Sequence, residues 1–211
     1  MKPNRIPLFP LDAVLFPTMA LPLHIFESRY KIMIARCLEE KIEFGIVCAE
    51  GKSVAGVGCT AEILRKVKDY PDGRMDIVTQ GRSVFRLHQV LEEKEYYEGM
   101  VGYLTDDETQ RDAQAETRLI AAFQQAHAAI HGQPWSRHPP KPSAAGTAES
   151  LAYLLAPLLP LGLRERQSLL EMRSETARQE FLQRWLSESL PKLLASNRAR
   201  ERAGGNGHTS R

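Results

Sequence analysis

The feature that most constrains this chain is a change of hydrophobic period. Up to about residue 105 apolar side chains recur every second residue in short runs punctuated by Pro and Gly, and beyond it they recur every three or four. A period of two buries one face of a strand, and a period of 3.6 buries one stripe of a helix. The chain is therefore read as a strand-rich half followed by a helical half, an α+β protein.

Within the first half, 6–9, 14–16 and 21–23 are short, proline-bounded candidate strands, as edge or barrel strands tend to be. One helix interrupts them, since Tyr30, Met33, Ile34, Cys37 and Leu38 form a single stripe over 26–38. Val57, Cys59, Ala61 and Ile63 alternate along a strand, which turns back at Pro71-Asp72-Gly73. Pro presets φ, Asp bonds back to the backbone and Gly accepts positive φ, so this tripeptide predicts a hairpin. Strands are then expected at 75–79, 84–90 and 97–104, giving a mostly antiparallel barrel or curled sheet.

In the second half Leu119, Phe123, Ala126 and Ile130 make a helical stripe ending near Gly132. Residues 132–147 hold Pro134, Pro139, Pro140 and Pro142, a loop composition, and 150–159, 163–172 and 175–194 read as three further helices. The expected organisation is a β subdomain over 1–105, a helical subdomain over 106–197 and a disordered basic tail over 198–211. That tail carries four Arg and one Glu, a charge of +3, so residues 1–197 sum to −1 of the chain's +2. A nearly neutral body weighs against a nucleic-acid surface, which needs clustered cations.

Three Cys in 211 residues do not make a disulfide framework, so a reducing, cytoplasmic setting is expected. Asp12 and four prolines break any signal-peptide helix in 1–23. The longest apolar run, 151–163, is broken by Pro157 and Pro160 and is too short to span a bilayer, so no membrane role is expected.

Chemistry is hard to find. Phosphate binding needs clustered glycines that open a helix, but Gly51 and Gly56-Val57-Gly58 precede a strand. Cys37, Cys48 and Cys59 are eleven residues apart, too far for a zinc knuckle and placed on core faces. His127 and His131 stand at i and i+4, yet Ala128 occupies the place of a zincin's Glu base, and two half-buried histidines near a helix C-terminus are the plainer reading. No G-x-S-x-G elbow is present. No cofactor, metal or catalytic residue is assigned. Two apolar features, Pro17-Thr18-Met19 and Trp135, could instead meet a partner.

Ile6-Pro7-Leu8-Phe9-Pro10-Leu11, Leu15-Phe16-Pro17-Thr18-Met19 and Leu21-Pro22-Leu23-His24-Ile25-Phe26-Glu27 with Arg29-Tyr30 resemble the opening of the Lon protease N-terminal domain family, in particular its short stand-alone bacterial members. Gly58 to Ile63, Asp72-Gly73-Arg74, Gly81 to Arg86, Tyr97 and Gln167 to Glu171 continue the resemblance. It implies a PUA-like, mostly antiparallel β-barrel with one inserted helix, followed by a C-terminal helical bundle. It also implies a non-catalytic module that recognises polypeptide segments or a protein partner, in an adaptor or quality-control role, because ATPase and protease chemistry belong to other domains of Lon. The residues expected to bind polypeptide are Pro17, Met19, His24, Phe26, Tyr30 and Trp135. RNA binding, as in other PUA-like barrels, is the alternative, and an unrecognised hydrolase ranks below it. Two positions depart from the family: Thr18 stands where Gly is usual, a turn that Thr fits poorly, and Val84 stands where an Arg is common.

Overall fold

A computed structural model describes residues 2–51, 53–107, 112–133, 135 and 150–205. Six strands and five α-helices follow in the order β1 (Arg5–Leu11), β2 (Ala20–Ile25), α1 (Ser28–Glu40), β3 (Phe44–Glu50), β4 (Ser53–Asp69), β5 (Met75–Leu91), β6 (Glu98–Tyr103), α2 (Ala113–His131), α3 (Leu151–Leu155), α4 (Leu163–Glu171) and α5 (Glu175–Gly205). They fall into two compact units. One holds Met1–Asp106 with Leu161–Arg173, the other Asp107–Pro160 with Ser174–Arg211.

The first unit is built on one mixed, six-stranded sheet in the order β2-β5-β4-β3-β1-β6, with β5 pairing β6 as well. β1 and β3 run parallel and the other pairs antiparallel. Of the barrel or curled sheet expected from the sequence, the structure shows a strand-rich sheet with an open edge, not a closed barrel. The open edge is β2, which pairs only with the first residues of β5, while the last residues of the same long strand pair β6. The two strands expected at 75–79 and 84–90 are thus one. Gly81 lies between them because a Cβ there would come within 2.0 Å of the Phe16 carbonyl oxygen, and Phe16 with Val14 and Leu15 forms a buried loop instead of a strand.

Alternation sends neighbouring residues into two cores. Phe9 and Ile46 join the α1 stripe of Tyr30, Met33, Ile34 and Cys37, whereas Leu8 and Val47 pack with Ile6, Phe85 and Val101. Buried on both faces, β1 and β3 read as almost continuous apolar runs. α4 belongs to this unit because Gln167 donates its amide N–H to the Val57 carbonyl of β4 at 3.1 Å while Leu169 and Leu170 are buried.

The second unit comprises α2, α3 and α5. Asp112 caps α2 by accepting from the Gln114 and Ala115 N–H groups, at 2.9 and 3.1 Å. Ser150 caps α3, and Glu175 at the start of α5 accepts from the Ala152 N–H at 3.1 Å. α5 continues to Gly205, which corrects the expectation of an unstructured tail from 198. The Arg, Ala and Glu residues there are good helix formers. The rest of that tail, and nearly all of the Pro-rich loop, lie outside the described residues.

Candidate functional site

The register of β2, β5 and β4 places three rows of side chains across the sheet. Residues opposite one another share a face, so Ala20, Gln80 and Glu62 form one row, Pro22, Val78 and Arg65 the next, and His24, Asp76 and Lys68 the third. Exposure alternates along β2: Ala20, Pro22 and His24 are exposed while Leu21, Leu23 and Ile25 turn toward the core. These rows are therefore the outer face of the sheet.

The third row ends in a cluster of rings. His24 Nδ1 lies 2.6 Å from Asp76 Oδ1, and the Tyr70 hydroxyl donates to Asp76 Oδ2 at 2.8 Å. Those two bonds, that from His24 first, hold the Asp76 carboxyl below its usual range. The His24 ring stacks on Phe26 with centroids 6.0 Å apart and meets Tyr70 edge-on at 5.7 Å. Lys68 and Arg74 sit over the Tyr70 ring at 4.5 and 5.0 Å. Phe26 is 59% exposed, and Leu64 and Val67 on β4 are exposed too. Apolar and aromatic surface flanked by cations can hold an apolar, extended ligand.

Nothing comparable is offered by the thiols. Cys37, Cys48 and Cys59 are buried, and burial pushes the Cys37 thiol up to about 12 and Cys59 higher still, the opposite of a reactive thiolate. His127 and His131 have ring centroids 4.4 Å apart, with His127 Nδ1 3.1 Å from the Gln133 carbonyl. Among the described residues no group of three or more metal-ligating side chains is found.

The residues singled out by sequence fall into different places. His24 and Phe26 are on the outer surface. Pro17 and Met19 are half-buried in the loop before β2, where the Met19 N–H donates to the Phe16 carbonyl (3.1 Å) and Met19 packs on the core. Thr18 holds φ at 66°, so the left-handed turn is kept without the glycine that usually provides it. Tyr30 is buried, its ring 4.2 Å from that of Phe9. Trp135, in the second unit, is buried edge-on against Phe123 at 5.2 Å. Both serve the core and not a free surface. In the sequence Tyr70 and Arg74 flank the hairpin turn and read as a solvated tip, while nothing marks Asp76 or Lys68. The signal was the register itself: a Pro-Asp-Gly turn fixes which β5 residue faces which on β4.

The fold is that of a Lon N-terminal domain. Residues 5–188 match the family described as the ATP-dependent protease La (LON) substrate-binding domain, and the chain belongs to that family. Its curated relatives include the Lon protease of Erwinia amylovora, 28% identical over 96% of this chain and 28% of that protein. Another is the Lon protease of Parabacteroides distasonis, 31% identical over 53% of this chain and 15% of that protein. The chain thus spans less than a third of the length of these relatives. Two solved structures share the fold. The Lon N-terminal domain protein from Xanthomonas campestris has a TM-score of 0.66 at 24% identity, covering 86% of this chain and 98% of that one. The N-terminal domain of the Mycobacterium avium complex Lon protease has a TM-score of 0.62 at 15% identity, covering 87% and 98%.

Proposed function

We propose that this chain is a non-catalytic polypeptide-recognition module, acting as an adaptor or quality-control factor in the cytoplasm. In this reading the outer face of β2 and the β4–β5 hairpin takes extended segments of unfolded polypeptide, with Phe26 and His24 as anchors at one end of β2 and the Pro17 to Met19 loop at the other. The observation that carries it is the exposure of Phe26, a large apolar ring left in solvent and stacked on His24, in a chain of the substrate-binding family. Tyr30 supports this face from beneath, in the core shared by α1 and the sheet. No helix among the described residues is long and apolar enough to cross a membrane.

The cations over Tyr70 favour one second reading, RNA bound by stacking on the same rings. Fluorescence anisotropy with a labelled unfolded polypeptide and a labelled structured RNA, each at low and high salt, separates the two. Phosphate contacts weaken steeply with salt and apolar contacts do not. Polypeptide binding that survives high salt is the expected result. RNA binding that salt abolishes, with no polypeptide bound, would replace the first reading by the second.

A further inference from the structure

The main chain of β2 has one side bonded and one side open. The Gly81 N–H donates to the Met19 carbonyl at 2.9 Å, and the Thr79 hydroxyl donates to the Leu21 carbonyl at 2.8 Å. Hydrogen-bonded and non-bonded pairs alternate in an antiparallel ladder, so Ala20–Gln80 is a non-bonded pair, Leu21–Thr79 a bonded one, and the alternation continues to Ile25–Met75. The N–H and C=O groups of Leu21 and Leu23 therefore point at β5, and those of Ala20, Pro22 and His24 point away from it. Pro22 is an independent check, because proline is tolerated in a strand where its nitrogen faces an open edge. β2 ends the sheet order, and no backbone bond beyond the ladder reaches these outward groups among the described residues. The edge therefore offers the carbonyls of Ala20, Pro22 and His24 and the N–H groups of Ala20 and His24.

We infer that an extended, unfolded polypeptide segment adds to the sheet along β2, its main chain bonding to Ala20, Pro22 and His24 and its outer side chains reaching Phe26. This rests on the polypeptide-recognition reading and gives it a mode: affinity from main chain, preference from Phe26 and the neighbouring rings. The balance of groups selects the occupant. The edge has three acceptors and only two donors, so two copies of it face to face leave carbonyls unmatched. An ordinary segment supplies a donor for each carbonyl. The proline gap in a short edge also discourages self-pairing.

The probe is a labelled peptide about ten residues long, matched to one strand, with alternating Thr and Val and one central Phe. It is compared with versions N-methylated at one backbone nitrogen each. Methylation should weaken binding about threefold to tenfold at every second residue and leave the intervening ones unchanged, since each lost donor is one main-chain hydrogen bond. Amide exchange at Ala20 and His24 should slow about tenfold or more in the complex. Ala20→Pro, which removes an outward N–H that β5 does not use, should weaken the peptide by the same factor. Uniform tolerance of methylation with binding intact overturns strand addition and leaves recognition standing. Failure of both this peptide and the unfolded polypeptide to bind removes both readings. A dimer of the chain that Ala20→Pro dissociates, with peptide affinity unaltered, assigns the edge to a second copy and overturns the inference.

Discussion

The two units bury charge in different ways. In the sheet unit Glu98 is 3% exposed and accepts from Arg5 Nε at 2.9 Å, Arg36 Nη1 at 2.9 Å and Lys94 Nζ at 3.0 Å, but those cations keep 41%, 32% and 40% of their side chains in solvent. In the helical unit Arg178 is wholly buried. It donates to Glu175 at 2.9 and 3.1 Å and to the Tyr153 hydroxyl at 3.2 Å, with its guanidinium 4.4 Å from the Tyr153 ring. Glu175 in turn accepts from the Ser150 hydroxyl and the Ala152 N–H, so Arg178 holds the carboxylate that opens α5 and joins it to the start of α3. A charge at the rim is partly answered by solvent; a charge at the centre depends on its partners.

That contrast orders the stability predictions. Arg178→Met leaves the Glu175 carboxylate buried without its cation and should cost about 3–5 kcal/mol, read from the urea midpoint. A loss no larger than that of a surface substitution would mean that Arg178 is not the centre of its unit. Glu98→Gln should cost less, about 2–3 kcal/mol, because its three cations can turn to water. Burial raises the Glu98 pKa, but the hydrogen bonds from Arg5, Lys94 and Arg36 outweigh it and the net shift is downward. A carboxyl held low in the folded state stabilises the fold above its unfolded value. That stability is lost as the pH falls through the folded value, below an ordinary carboxylate at about 4.3. Urea midpoints measured down an acid series should therefore fall less steeply in Glu98→Gln than in the parent; parallel curves would contradict the assignment. The smallest effect has the opposite sign. Thr18→Gly removes a left-handed strain at the cost of a looser unfolded chain, for a net gain of about 0.5–1 kcal/mol in the same assay.

The same contrast explains what could be read from the sequence. The α1 stripe and the hairpin were legible because each is fixed by neighbours. Gly73 has φ of 80°, its N–H donates to the Tyr70 carbonyl at 2.9 Å, and Asp72 accepts from the Arg74 N–H at 3.1 Å. In the sequence Gly81 looks like punctuation between two strands, but β5 runs through it, and the glycine is needed where the Phe16 carbonyl, sixty-five positions away in sequence, comes close. The sequence groups α4 with the other helices, since periodicity tells that a helix has a buried stripe and not what covers it, whereas α4 belongs to the sheet unit. Arg178 was invisible for the same reason, because one Arg in a charged helix carries no sign that it turns inward. Of the candidate site, His24 and Phe26 came with the resemblance, whereas Tyr70, Lys68 and Asp76 join them only through the pairing of β2 with β5 and β5 with β4.

The central claim is that the outer face around Phe26 recognises polypeptide. Phe26→Asp replaces an exposed ring and leaves both cores untouched, so its circular dichroism should match the parent. Anisotropy with the labelled unfolded polypeptide at high salt should then show affinity reduced about tenfold or more, as for an interface anchor. Undiminished affinity in a folded Phe26→Asp protein would contradict the account.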